Sequence, residues 1–275
     1  MSRTCRHARS VLARLLLTGI TLVSSVSTAL SDLTTASSAP AYSAAGIVQA
    51  ASQTPGALAP NSIVTIYGTN LSWTTHAADS GDLDGRNLPD SLDGVTVYAN
   101  GLPCGLFFVS PGQVNFIVPY EIEDTSVSIT LTRQGVAGPK VTLPFVTGAP
   151  GLFQWSGNYA VAQHADGTLI SSTSPAHAGE VVVLYATGLG RTSPDIYPGS
   201  VPVTALGMLY RSQLQILLNG VPCDQSSIYY AGVTPGFEGL YQINLRLPAS
   251  LANNPTIQLA MGSQSSPPSV QLFVD

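Results

Sequence analysis

The sequence predicts an all-β protein built as two tandem antiparallel sandwiches, and three observations lead there. Apolar residues make up 44% of the 275-residue chain but fall in short runs rich in β-branched and aromatic side chains. Those runs are punctuated by 26 Gly and 20 Pro, and none keeps a 3.6-residue apolar period. The body also repeats itself once, in units of roughly 110 residues, the size of a sandwich domain. Charged residues reach only 9%, against about 25% in an ordinary soluble domain. A chain this apolar can build a sizeable core, which argues against global disorder.

Taken in order, the chain opens with Arg3, Arg6, Arg9 and Arg14 ahead of an apolar run over residues 15–23 and a small-residue end near Ser31. A basic, then apolar, then small-residue order is that of a secretory signal peptide, and the apolar run is too short to span a bilayer. Residues 1–31 are therefore read as a signal peptide. Residues 32–45, a Ser/Thr/Ala/Pro tract without periodicity, are read as a flexible leader. Loss of the first segment would remove four of ten basic groups and no acid, leaving 6 against 15 and a net charge of −9. Without a basic cluster in the body, nucleic acid is not an expected partner. No later stretch is long and apolar enough to be a transmembrane helix.

Strands are expected at 63–67, 95–98, 106–109, 114–118, 127–132 and 141–146, forming a first domain over residues 46–150. A second set at 159–163, 181–185, 214–218, 228–230, 240–247, 257–261 and 270–274 forms a second domain over residues 151–275. Three blocks recur in the same order. Ile63–Leu71 aligns with Val181–Leu189, the Asn100-Gly101-x-Pro-Cys104 turn with Asn219-Gly220-x-Pro-Cys223, and Gln113-Val-Asn115 with Gln242-Ile-Asn244. Tyr67 to Asn100 spans 33 residues and Tyr185 to Asn219 spans 34, but the second copy carries about ten extra residues before its Gln-x-Asn pair. Both Asn-Gly dipeptides are tight-turn signals, because each position tolerates φ > 0.

Read together, Gly46–Ser52, Leu58–Leu71, Phe107–Pro119, Pro150–Phe153, Leu184–Gly190 and Tyr230–Asn244 resemble the uncharacterised Solibacter-type C-terminal domain family of exported bacterial proteins. That family is similar to IPT/TIG-type immunoglobulin-like domains. The resemblance implies two immunoglobulin-like sandwiches in a bacterial protein that is secreted or held at the cell surface. It brings no established activity and no functional residues to carry over.

Candidate chemistry is sparse. The four acids Asp79, Asp82, Asp84 and Asp90 follow His76 in a Gly-interrupted loop, hard oxygen donors of the kind that bind calcium. The register fails at Ser80 and Ser91, so a solvated acidic loop competes with that reading. Gln113 and Asn115 share one strand face, as do Gln242 and Asn244. They form either a polar face for a glycan or a cell-surface protein, or a scaffold that satisfies the neighbouring turn. Trp73, in a loop, is the aromatic best placed for a surface role. Cys104 and Cys223 occupy equivalent turns, and in an exported chain they are a disulfide candidate if the two turns meet. No G-x-S-x-G elbow is present, so a non-enzymatic binding or envelope module leads. An extracellular hydrolase or carbohydrate-active accessory protein is the alternative. It requires a pocket where His164 or His177 meets a serine or a carboxylate.

Overall fold

The computed structural model describes residues 38–155, 158–197 and 199–275. The segment read as a signal peptide and most of the leader lie outside the described residues. The end of the leader is not a free tail. Pro40 is buried, Ala41 bridges Thr69, and the Tyr42 hydroxyl accepts from Leu131 N (2.7 Å) while donating to Pro139 O (2.7 Å). The folded unit thus begins at Ala39. A Ser/Thr/Ala/Pro composition hides this, because one tyrosine and two backbone contacts anchor the segment.

Two β-sandwiches follow. In the first, Ile47–Gln49, Ile63–Tyr67, Gln113–Ile117, Leu106–Val109 and His76–Ala77 pair antiparallel in that order. The facing sheet runs Val141–Pro144, Ser126–Arg133, Val95–Ala99 and Leu102–Pro103. Between them Val64, Ile66, Val95, Val97, Leu106, Phe116, Ile129 and Leu131 pack into one buried core. The second sandwich repeats the plan. One sheet is built on Val181–Thr187, Tyr241–Arg246 and Ile228–Val233, the other on Leu214–Leu218 and Ile257–Met261. Its separate core holds Leu184, Ile216, Ile243, Leu245 and Leu259.

The duplication extends to fine geometry. Tyr67 pairs with Gln113 and Tyr185 with Gln242. A register shift falls at the same place in both copies, between Leu106 and Phe108 and between Ile228 and Tyr230. Asn100-Gly101 and Asn219-Gly220 turn with φ of +49°/+83° and +49°/+77°, the paired positive angles that match the twist of a two-residue hairpin. Residues 270–274, expected as a strand, make only isolated bridges through Gln271 and Val274. Several two-residue edge strands, among them Leu102–Pro103 and Val221–Pro222, are too short to show a period.

One difference between the copies lies in the loop before the Gln-x-Asn pair. Ser110 N bonds Gln113 O directly, so only Pro111 and Gly112 make that turn. In the second copy Thr234 N reaches Leu240 O across Pro235–Gly239, which inserts Phe237, Glu238 and Gly239. This insertion docks on the first sandwich.

Candidate functional site

Side-chain alternation builds a concavity on the outer face of the first sandwich. Along Ser126–Arg133 the inward residues Val127, Ile129, Leu131 and Arg133 are buried, which leaves Ser126, Ser128 and Thr130 on the outer face. Tyr98, on the neighbouring strand, stands opposite Thr130. These four side chains floor a cleft of about 680 Å³ whose ends carry Asn100, Asp124 and Lys140. Asn100 fixes the geometry. Its amide donates to Asp124 Oδ2 (2.9 Å) and Ser126 O (3.2 Å), and its Oδ1 accepts from Ser128 N (2.7 Å). The cleft offers hydroxyls and a phenol on strands, with one carboxylate and one ammonium on the segments beside them, a surface for hydrogen bonding rather than for activating a nucleophile.

The residues expected to form a ligand face lie elsewhere and mostly bond one another. Gln113 Nε2 donates to Asn115 Oδ1 (2.9 Å), and Gln242 Nε2 to Asn244 Oδ1 (2.7 Å). Asn115 is buried at 1% exposure, so it cannot meet a ligand without rearrangement. Trp73 is half exposed, and the buried Arg133 guanidinium stacks 3.7 Å from its ring while donating to Asn70 O. The cleft itself was missed by sequence reasoning. Its signal was the Ser-x-Ser-x-Thr alternation at 126–130, legible as an outer face but not as a concave one.

The four carboxylates read as a calcium loop are not gathered. Asp79 Oδ1 accepts from Gly81 N (2.6 Å), and Asp82 Oδ2 accepts from Asp79 N (2.8 Å) while pairing with His76 Nε2 (3.1 Å). On its other side, His76 Nδ1 faces Asp93 Oδ1 at 3.1 Å. The Asp93 hydrogen bond raises the His76 pKa, while Thr74 and then His76 lower that of Asp93. Asp84 belongs to a turn closed by backbone bonds to Asn87, and Asp90 stands apart at the contact with the second sandwich. Among the described residues no group of three or more His, Cys, Asp or Glu side chains is placed to hold a metal. The short loop spends its acids on its own backbone and on His76.

Cys104 and Cys223 are free thiols. Cys104 is fully buried in the first core, and Cys223 packs half-buried against the second. Equivalent positions on two separate cores need not meet, and the bridge that their equivalence allowed is not formed. Burial raises both thiol pKa values, which opposes reactivity.

His164 makes the one contact a hydrolase would need. Its Nδ1 lies 2.5 Å from Glu180 Oε1, and its Nε2 lies 3.2 Å from Ser174 Oγ. Nε2 is equally close, at 3.2 Å, to the Ser174 carbonyl. Burial lowers the His164 pKa, but Glu180 and the Ser174 carbonyl outweigh it and raise the value overall. These contacts tie the 171–174 turn to the strand that carries His164. His177 pairs with Asp275 at the exposed surface.

The sandwiches meet over a junction rich in backbone contacts. Thr187 Oγ1 accepts from Ile63 N (2.9 Å) and donates to Gly239 O (2.9 Å). Asn61 Nδ2 donates across to Gly190 O (3.4 Å), which Tyr241 Oη also meets from within the second sandwich, and Ala149 N donates to Gly188 O (2.8 Å). Gly239, at φ +67°, lies so close that a Cβ would come within 2.7 Å of Ile63 and 2.8 Å of Ile117. Beside it Glu238 is 5% exposed, and burial pushes its carboxyl up to about 8 despite a hydrogen bond from the Gly199 backbone.

Comparison with known proteins bears on the first sandwich. Residues 48–146 match the IPT/TIG domain family. The first sandwich is an IPT/TIG-like immunoglobulin-fold domain. No curated protein matches the chain in sequence. Among solved structures it aligns with the plexin A4 extracellular region at 11% identity and a TM-score of 0.28, covering 92% of this chain and 20% of plexin. A surface glycan-binding protein from Prevotella bryantii aligns at 13% identity and a TM-score of 0.27, covering 84% of this chain and 42% of that one. Domains 5–6 of the S-layer protein SbsC align at 10% identity and a TM-score of 0.26, covering 86% and 98%. Overlap this loose carries no functional argument. Among the described residues no helix is long and apolar enough to cross a membrane.

Proposed function

We propose that the chain is an exported, non-catalytic binding module in which the IPT/TIG-like domain recognises a hydroxyl-rich ligand, a glycan, through its outer-face cleft. The observation that carries this reading is the cleft of about 680 Å³ floored by Tyr98, Ser126, Ser128 and Thr130 and flanked by Asp124 and Lys140. Its volume is in the range of small-ligand sites, roughly 300–1,000 Å³. Sugars present hydroxyls that pair with such donors and acceptors and apolar faces that stack on a phenol ring. Export and a bacterial surface rest on the basic, apolar and small-residue order of residues 1–31 and on the resemblance to a family of exported proteins. Membership of the Solibacter-type family is part of the same proposal.

The test is glycan-array screening of the folded chain followed by calorimetry on any hit. Tyr98→Ala and Lys140→Ala should each weaken binding about tenfold, equivalent to roughly 1.4 kcal/mol, while the melting temperature stays put. Binding that survives both substitutions overturns the assignment. The hydrolase reading keeps one specific observation, the Ser174–His164–Glu180 contact. Ser174→Ala should leave hydrolysis of a chromogenic acetate ester at the level of buffer plus wild-type protein; a fall with Ser174→Ala would favour the enzyme.

A further inference from the structure

At the edge of the junction, Asp90 of the acidic loop and Glu238 of the inserted loop line a cavity whose remaining walls are mostly first-sandwich residues such as Gly105 and Val118. Leu88 N donates to Gly199 O (2.7 Å), and Val201 N donates to Arg86 O (2.9 Å), so the walls are pinned by backbone bonds from both sides. The cavity measures about 20 Å³ and is lined by Asn61, Asp90, Gly105, Val118, Gly199 and Glu238 among others. That is room for one atom-sized ligand. No basic side chain lines it, whereas two carboxylates do. Asp90 is exposed at the mouth, and Glu238 is 5% exposed, its Oε2 buried without a hydrogen-bond partner. Asn61, also buried, gives its amide nitrogen to Gly190 O (3.4 Å), which leaves the amide oxygen as the atom able to ligate.

We propose that this cavity is a calcium site shared by the two sandwiches, with Asp90 and Asn61 contributed by the first and Glu238 by the second. The two carboxylates match the charge of a divalent ion. Every donor is a hard oxygen, and nitrogen or thiolate ligands of the kind zinc or copper prefer are absent from the lining. Magnesium keeps several waters in a strict octahedron, for which the cavity is too small. Calcium tolerates irregular shells of carboxylate, amide and backbone oxygens. The exposed position of Asp90 provides the route in. An ion there would bind the folded junction and stabilise it by mass action, because its ligands come from both sandwiches. The site is independent of the glycan cleft. It also differs from a calcium loop at 79–84, whose acids are already used locally.

The experiment takes the folded chain, stripped with a chelator, and follows its melting temperature and binding heat on adding CaCl2, MgCl2 or KCl. Millimolar calcium should raise the melting temperature by about 3–8 °C, with a much smaller response to the other two salts. Glu238→Gln should abolish the calcium response, and Asp79→Asn with Asp82→Asn should leave it intact. If Glu238→Gln does not fold, Asp90→Asn at the exposed mouth takes its place and should weaken the response at least tenfold. The proposal falls if calcium produces no shift, if magnesium or potassium does as well, if neither cavity variant alters the response, or if the loop double variant removes it.

Discussion

Replacing Thr187 by valine removes one hydroxyl and keeps the shape of the side chain. Thr187 is fully buried, and its Oγ1 links the sandwiches by accepting from Ile63 N and donating to Gly239 O, both at 2.9 Å. The substitution leaves a buried N–H and a buried C=O without this partner, each costing about 1–3 kcal/mol. The added methyl group offsets part of that loss, so a net destabilisation of about 2–4 kcal/mol is expected. In a folded unit of this size that corresponds to a fall in melting temperature of about 5–12 °C. Urea unfolding should be followed by circular dichroism and by tryptophan fluorescence, because two cores can unfold in separate steps. Thr187→Ser is the control. It keeps the hydroxyl and should recover most of the stability. A valine variant within 0.5 kcal/mol of wild type, or a serine variant as unstable as valine, would refute the view that this hydroxyl holds the junction.

Three further outcomes are expected. Asn100→Ala should cost about 1–3 kcal/mol, because alanine resists the left-handed φ and loses the bonds to Asp124, Ser126 and Ser128; chemical denaturation measures it, and Asn100→Gly should cost less. His164 binds its proton more tightly in the folded state, so its pairing with Glu180 contributes fully below about pH 6.5 and fades as pH rises through the folded value. Thermal melts should accordingly show His164→Ala lowering stability more at about pH 5.5 than at about pH 8.5. Without reductant, a thiol reagent should modify Cys223 in the native protein and Cys104 only on unfolding; mass spectrometry finding an unlabelled pair after unfolding would contradict the free thiols seen here.

Much of the scaffold is legible in the residues themselves. The strands Ile63–Tyr67, Leu106–Val109, Leu214–Leu218 and Ile257–Met261 fall where their β-branched runs place them. The Asn-Gly turns adopt the positive φ values their chemistry permits. These features are local, since the period of a strand and the turn preference of Asn-Gly are decided within a few residues. The sequence also revealed that the second copy is longer before its Gln-x-Asn pair. It did not reveal that Phe237, Glu238 and Gly239 would use that length to reach the first sandwich.

Non-local packing decided the rest. Asp79, Asp82, Asp84 and Asp90 read alike along the chain, yet Asp79 and Asp82 serve their own turn while Asp90 faces the second sandwich. Cys104 and Cys223 hold matching places in the repeat, but a bridge depends on the distance between two cores, which no spacing encodes. Alternation along the strand turns the hydroxyls of Ser126, Ser128 and Thr130 outward; their meeting with Tyr98, Asp124 and Lys140 in one cleft needed the pairing of three strands. What the sequence determined by itself, then, is the periodicity that sorts each strand into a buried and a solvent-facing side. Which solvent-facing groups converge was left to sheet register and to the docking of one sandwich on the other, because those contacts join residues tens to hundreds of positions apart.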